Sequence, residues 1–235
     1  MLTDSLSLWS RLIVHFWAAA IEEAEASAAS GSGIDPDPIS TLQKAYEQTL
    51  EATTEHNWQG TTTVCGAQLH YGLSEESSQE GFVPILYVTN LGDSQVMVLR
   101  PHDQGVIFKT KEQWHWFDCP RQLGTNSPDR PAENAVLDKV ELAIGDVVLA
   151  MSDGVIDNLW QHEIADIVFK SLHRWEQDCR SKGEVDGTGG RNGGMEIVAR
   201  DIMAAAKHVA TDPYAESPYM EHAIEEGLAS EGGEY

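Results

Sequence analysis

The sequence predicts an α+β protein with its strands in the middle of the chain and its helices toward the two ends. Two observations carry this reading. Apolar residues recur every three or four positions over residues 9–20, 42–50, 164–172 and 198–209, which is the period of a helix that buries one face. Between the second and third of these stretches, β-branched and apolar runs are separated by turn residues, as expected for strands. At 235 residues and 41% apolar content, the chain is long enough for one sizeable core. A single domain over residues 1–235 is therefore expected.

Charge and cysteine usage narrow the function classes. With 15 basic and 38 acidic residues the formal net charge is −23, which opposes binding to nucleic acid or to anionic lipid. Cys65, Cys119 and Cys179 are odd in number, widely spaced and without a CxxC pair, so neither a disulfide framework nor a zinc site is indicated and a reducing, intracellular compartment fits. Cys65 reads as a small core residue, and Cys119 would be a nucleophile only beside a base. The apolar run over residues 8–20 is broken by Arg11 and His15 and follows no basic segment. It is thus neither a secretory signal nor a membrane span, and no targeting segment is read in the chain.

The elements follow in order. Trp9, Leu12, Ile13, Phe16, Trp17 and Ala20 share one helical face and belong to the core. Residues 24–38, rich in Ala, Ser and Gly and ending Asp-Pro-Asp-Pro, read as a flexible surface connection. Ser40 and Gln43 suggest a capping box for a second helix with the stripe Leu42, Ala45, Tyr46, Thr49 and Leu50. Strands are expected over 60–71, 82–90, 95–100, 106–109 and 136–142, with residues 124–134 as loop. The short connection Gly92-Asp93-Ser94 suggests a hairpin between the second and third of these strands, with Asp93 at its tip. His115, between two tryptophans, reads as a partly buried packing residue, since the sequence assigns it no carboxylate partner.

The most informative stretch is 145–159, GDVVLAMSDGVIDNL. Residues 147–151 are continuously apolar, as in a strand covered on both faces, and the run ends at Ser152-Asp153-Gly154. A carboxylate placed where a buried strand stops is rigidly held, as a hard divalent cation requires of its ligand. An Asp that caps its own turn is the other reading of the same residue. Helices follow on both sides of a Gly-rich segment, residues 176–194, expected to be mobile. Ser217-Pro218 caps the last helix.

Three blocks carry a family resemblance: the strand ending in Asp153-Gly154, the run Asn90-Leu91-Gly92-Asp93-Ser94, and QWHWFDCPRQL from Gln113 to Leu123. Together they resemble the PP2C-type (PPM) metal-dependent protein serine/threonine phosphatases, and the third block resembles the mitochondrial Ptc7-type branch. The resemblance implies a sandwich of two antiparallel sheets flanked by helices, two Mg²⁺ or Mn²⁺ ions and a phosphoprotein substrate. It also implies Asp153 as a metal ligand and Asp93 as ligand of an additional, weaker ion. The D-G-x-G-G and C-terminal Asp-Asp elements of that family do not occur in the sequence. By this comparison the chain looks truncated at both ends, with an incomplete fold, little turnover of its own, and no catalytic or substrate-binding residue to assign. The branch implies a mitochondrial location, with the cytoplasm as the alternative. A catalytically inactive homologue that works as a binding or regulatory module is the competing function.

Overall fold

A computed structural model describes residues 3–28, 35–73, 82–181 and 194–228. The chain divides into two compact units, Met1–Met97 with Phe108–Ala150, and Val98–Ile107 with Met151–Tyr235. In chain order the first part runs α1 (Thr3–Ala28), α2 (Pro38–Thr54), β1 (Thr61–Thr62), β2 (Val64–Leu73), β3 (Phe82–Leu91) and β4 (Gln95–Arg100). After a 3-10 turn come β5 (Gly105–Lys109), β6 (Trp114–Trp116), β7 (Cys119–Pro120), β8 (Leu123–Gly124), α3 (Pro131–Asn134), β9 (Val136–Glu141) and β10 (Val147–Met151).

The core of the first unit forms where α1 and α2 meet the strands. Trp9, Ile13, Leu42, Ala45, Tyr46, Val64, Leu91 and Leu123 are buried together, with Phe16, Trp17 and Leu50 packed against them. Side chains of this size contribute about 1.5–3 kcal/mol each when fully removed from water. Trp17 is seated over Gly66, where an added Cβ would lie 2.7 Å from the indole, and its Nε1 donates to Thr41 Oγ1 at 3.2 Å. Two threonines are tolerated in the buried face of α2 because each hydroxyl donates back into the helix, Thr49 to Ala45 O at 2.8 Å and Thr53 to Thr49 O at 2.7 Å.

Several local expectations change. Residues 24–28 continue α1, since Ala and Glu are strong helix formers; residues 29–34 lie outside the described part. Helix α2 is capped by Asp37, whose Oδ1 accepts from Ser40 N–H at 3.1 Å, with Pro38 opening the first turn. Ser40 therefore sits inside the helix and forms no capping box. Within 124–134, Leu123–Gly124 pairs with Thr61–Thr62 and Pro131–Asn134 is a helical turn.

The sheets correct the expected hairpin. β3 pairs antiparallel with β2 on one side and with β9 on the other. Both edges of β3 are thus occupied, and β4 lies in a different sheet, of order β10-β4-β5. Residues 92–94 form a corner that carries the chain from one sheet to the other. β10 is an edge strand of its sheet, and its residues alternate between buried and more exposed positions, with Val148 37% exposed. The apolar run is therefore covered on one face among the described residues, because an edge strand with period-two alternation turns every second side chain outward.

The second unit is helical apart from its strand ends: α4 (Asp153–Ile156), α5 (Gln161–Ser181), α6 (Met195–Ala210) and α7 (Pro218–Glu225). α5 buries Ile164, Val168 and Ser171, and α6 buries Val198, Ile202 and Ala206. Ser171 Oγ and Arg174 Nη2 both donate to Asp201 Oδ2, at 2.6 and 3.2 Å. Residues 176–181, expected to be mobile, complete α5; residues 182–193 lie outside the described part. Ser217 Oγ accepts from Met220 N–H at 3.2 Å and caps α7 as read from the sequence. No described helix is long and apolar enough to cross a membrane.

Candidate active site

Asp93 stands on the corner between β3 and β4, and that corner is fixed from three sides. Gly92 has φ +117°, and an added Cβ would meet the Thr63 side chain at 2.6 Å and Arg121 O at 2.8 Å, so only glycine fits. The Gln113 carboxamide accepts Gly92 N–H at 2.9 Å and donates to Asn134 O at 2.9 Å. Gly92 O accepts from Gln113 N–H at 3.0 Å and from Asn90 Nδ2 at 3.2 Å. Thr63 and Ser94 share a hydroxyl hydrogen bond of 3.0 Å. The Asp93 side chain borne on this frame belongs to a residue only 4% exposed.

The Gln-x-His segment continues from this clamp into the β6-β7 hairpin, where the structure supplies the carboxylate that sequence reasoning missed. His115 Nε2 lies 2.9 Å from Asp129 Oδ2, and Arg121 Nη1 donates to Asp129 Oδ1 at 3.0 Å. Gln122 N–H donates to Asp129 Oδ2 at 3.0 Å. The Asp129 side chain is 2% exposed and that of His115 is 26% exposed. Burial pushes the Asp129 carboxyl up, but the Gln122 N–H, His115 and the Arg121 guanidinium outweigh it and hold the group below the usual carboxylate range. His115 is therefore hydrogen-bonded to a buried carboxylate. Asp129 escapes sequence reading because it lies in a Ser-Pro-Asp-Arg turn, and such an Asp ordinarily serves local backbone. Behind it, Arg130 Nη1 donates to Tyr46 OH, and the guanidinium carbon lies 5.2 Å from the ring centroid, which joins this loop to the core.

Asp153 belongs to the second unit. It opens α4, and its Oδ1 accepts the N–H of Gly154 at 2.7 Å, as the turn-capping reading requires. Its Oδ2 makes no hydrogen bond among the described residues, and the side chain is exposed. The turn is held by Asn158, fully buried, whose Nδ2 donates to Gly154 O at 3.2 Å, and by Tyr219 N–H of α7, which donates to Asp157 O at 3.0 Å. Oxygen donors of this kind suit hard cations. However, among the described residues no three His, Cys, Asp or Glu side chains stand together where a metal ion could be held. The described donor set therefore does not fit a complete two-ion centre. The cysteines are all free, and burial pushes the Cys65 thiol up to about 12, which leaves it protonated and inert.

Comparison with known proteins shows what the chain is similar to. No family model matches the chain. It is 30% identical over 227 residues to the probable protein phosphatase 2C 80 of Arabidopsis thaliana, covering 96% of this chain and 44% of that protein. It is 26% identical over 212 residues to the human (Homo sapiens) protein phosphatase PTC7 homolog, covering 86% of this chain and 59% of that one. The chain thus spans about half the length of the curated relatives it matches. Its fold matches the X-ray structure of the photosystem II phosphatase PBCP with a TM-score of 0.66 at 24% identity, over 94% of this chain and 68% of that one. That likeness bears on the fold, and it agrees with the α+β arrangement of antiparallel sheets and helices found here. Along nearly its whole length the chain is thus similar to curated protein phosphatases of the 2C type, PTC7 homologs among them, and it shares the fold of the phosphatase PBCP.

Proposed function

We propose that the protein is a metal-dependent protein serine/threonine phosphatase that hydrolyses phosphomonoesters on phosphoproteins. The observation that carries this is similarity to a probable protein phosphatase 2C over 96% of the chain. In this reading residues 1–235 work as one phosphatase domain. Asp153 is a ligand of Mg²⁺ or Mn²⁺, and Asp93 is a ligand of an additional, weaker ion. These carboxylates are two of the several oxygens that such ions need, and the described residues do not supply the others. Kinship with the PTC7 homologues also supports a mitochondrial location.

The test uses a phosphoserine peptide and purified protein in Mn²⁺. Slow phosphate release that stops on addition of EDTA is expected. Asp153→Asn should lower that release at least about tenfold with an unchanged melting temperature, because Asn can still accept the Gly154 N–H while the charge that cations need is gone. Release indifferent both to EDTA and to Asp153→Asn would overturn the reading.

A further inference from the structure

We propose that His115 is the proton donor to the leaving group in phosphomonoester hydrolysis, and that Asp129 is the residue that positions it. The proposal rests on the phosphatase reading above. Its basis is the arrangement of one buried carboxylate and one partly exposed imidazole. Asp129 accepts from Arg121 Nη1 at 3.0 Å and from Gln122 N–H at 3.0 Å, so its charge is balanced and its plane is fixed without any help from His115. The imidazole nevertheless directs Nε2 at Oδ2, 2.9 Å away. An ionised carboxylate can only accept, which makes Nε2 the protonated nitrogen of the neutral ring. Nδ1 is then the nitrogen left for another group, and it makes no hydrogen bond among the described residues while the side chain keeps 26% of its surface exposed. A buried carboxylate behind an imidazole whose second nitrogen is open is how proteins orient a histidine for proton transfer.

The surroundings agree with that role. Gln113, two positions before His115, holds the Gly92 N–H next to Asp93, so the strand that carries the imidazole starts from the corner that carries the carboxylate. The Trp116 ring, 69% exposed, has its centroid 6.0 Å from that of His115 and offers an apolar wall beside it. In the step proposed, the oxygen of a water molecule forms a new bond to phosphorus as the bond from phosphorus to the ester oxygen breaks. The departing oxygen takes the proton from Nδ1 of the His115 imidazolium and leaves as a neutral alcohol. The attacking water gives up its proton to solvent, inorganic phosphate remains, and the imidazole is reprotonated from solvent.

The test compares two esters that differ in their need for a proton. A serine alkoxide is a poor leaving group and requires protonation, whereas 4-nitrophenolate departs without it. Wild type, His115→Asn, His115→Gln and Asp129→Asn are assayed in Mn²⁺ on a phosphoserine peptide and on 4-nitrophenyl phosphate, with folding followed by thermal melts. General acid catalysis contributes about 10²–10⁴-fold, so both His115 variants should lose about 100-fold or more on the peptide and far less on the nitrophenyl ester. Asp129→Asn should move the ratio of the two rates in the same direction. Should that variant fail to fold, the two His115 variants decide. Equal losses on both esters, or an unchanged ratio, would overturn the proposal and leave the phosphatase reading intact. A wild type inert on both esters would overturn the phosphatase reading and this proposal with it.

Discussion

Asp129 contributes stability through its buried ion pair and backbone hydrogen bond whether or not His115 moves protons. Removing it strips Arg121, His115 and the Gln122 N–H of their shared acceptor, so Asp129→Ala should cost about 3 kcal/mol in urea unfolding. Its carboxyl is depressed in the folded state, so between the folded and the ordinary value the unfolded chain binds more protons and stability rises with pH. The contribution should be fully present above about pH 4 and be lost as the pH falls through the lower folded value. Melting curves of wild type and Asp129→Asn measured down through that range should converge, and curves that stay parallel would contradict the assignment. None of this was legible in the sequence, because the partners of Asp129 lie 7, 8 and 14 residues away on a hairpin whose register only the fold defines. Asp93 and Asp153, each next to a glycine at the end of an apolar run, were visible as candidates.

At the scale of elements, helical faces were legible and helix ends less so. The period of three and four residues identified Trp9, Ile13, Leu42, Tyr46, Ile164, Val168, Val198 and Ile202, all buried, because that period follows directly from helix geometry. The start of α2 was misread by three residues, since a Ser followed by Gln imitates a box while Asp37 and Pro38 make the actual cap. Chemical denaturation can separate the two: Asp37→Ala should cost about 1 kcal/mol and Ser40→Ala markedly less. Sheet partners were the least legible feature. A three-residue connection suits a hairpin, but β3 is already paired on both sides, and no local signal in residues 92–94 reports where β9 will lie.

Across the whole molecule, the net charge of −23 works against compactness, since like charges gain distance on unfolding. The Debye length falls from about 30 Å at 0.01 M salt to about 8 Å at 0.15 M, so the melting temperature should rise with NaCl over that range. Scanning calorimetry that shows no rise, or a fall, would mean that the pairs Lys139–Asp35, Arg121–Asp129 and Arg174–Asp201 outweigh the general repulsion. The placement of β3 between β2 and β9 has one further consequence, and it concerns the order in which the chain is made. Asn90 leaves the ribosome 46 residues before its partner Val136, so the apolar β3 must persist for the synthesis of that whole stretch with one edge unpaired. A hairpin of β2 and β3 is marginal on its own in water, and an open apolar edge is where other chains add. The nascent protein is thus most vulnerable to aggregation, and most dependent on a chaperone, from the emergence of residue 91 until that of residue 141.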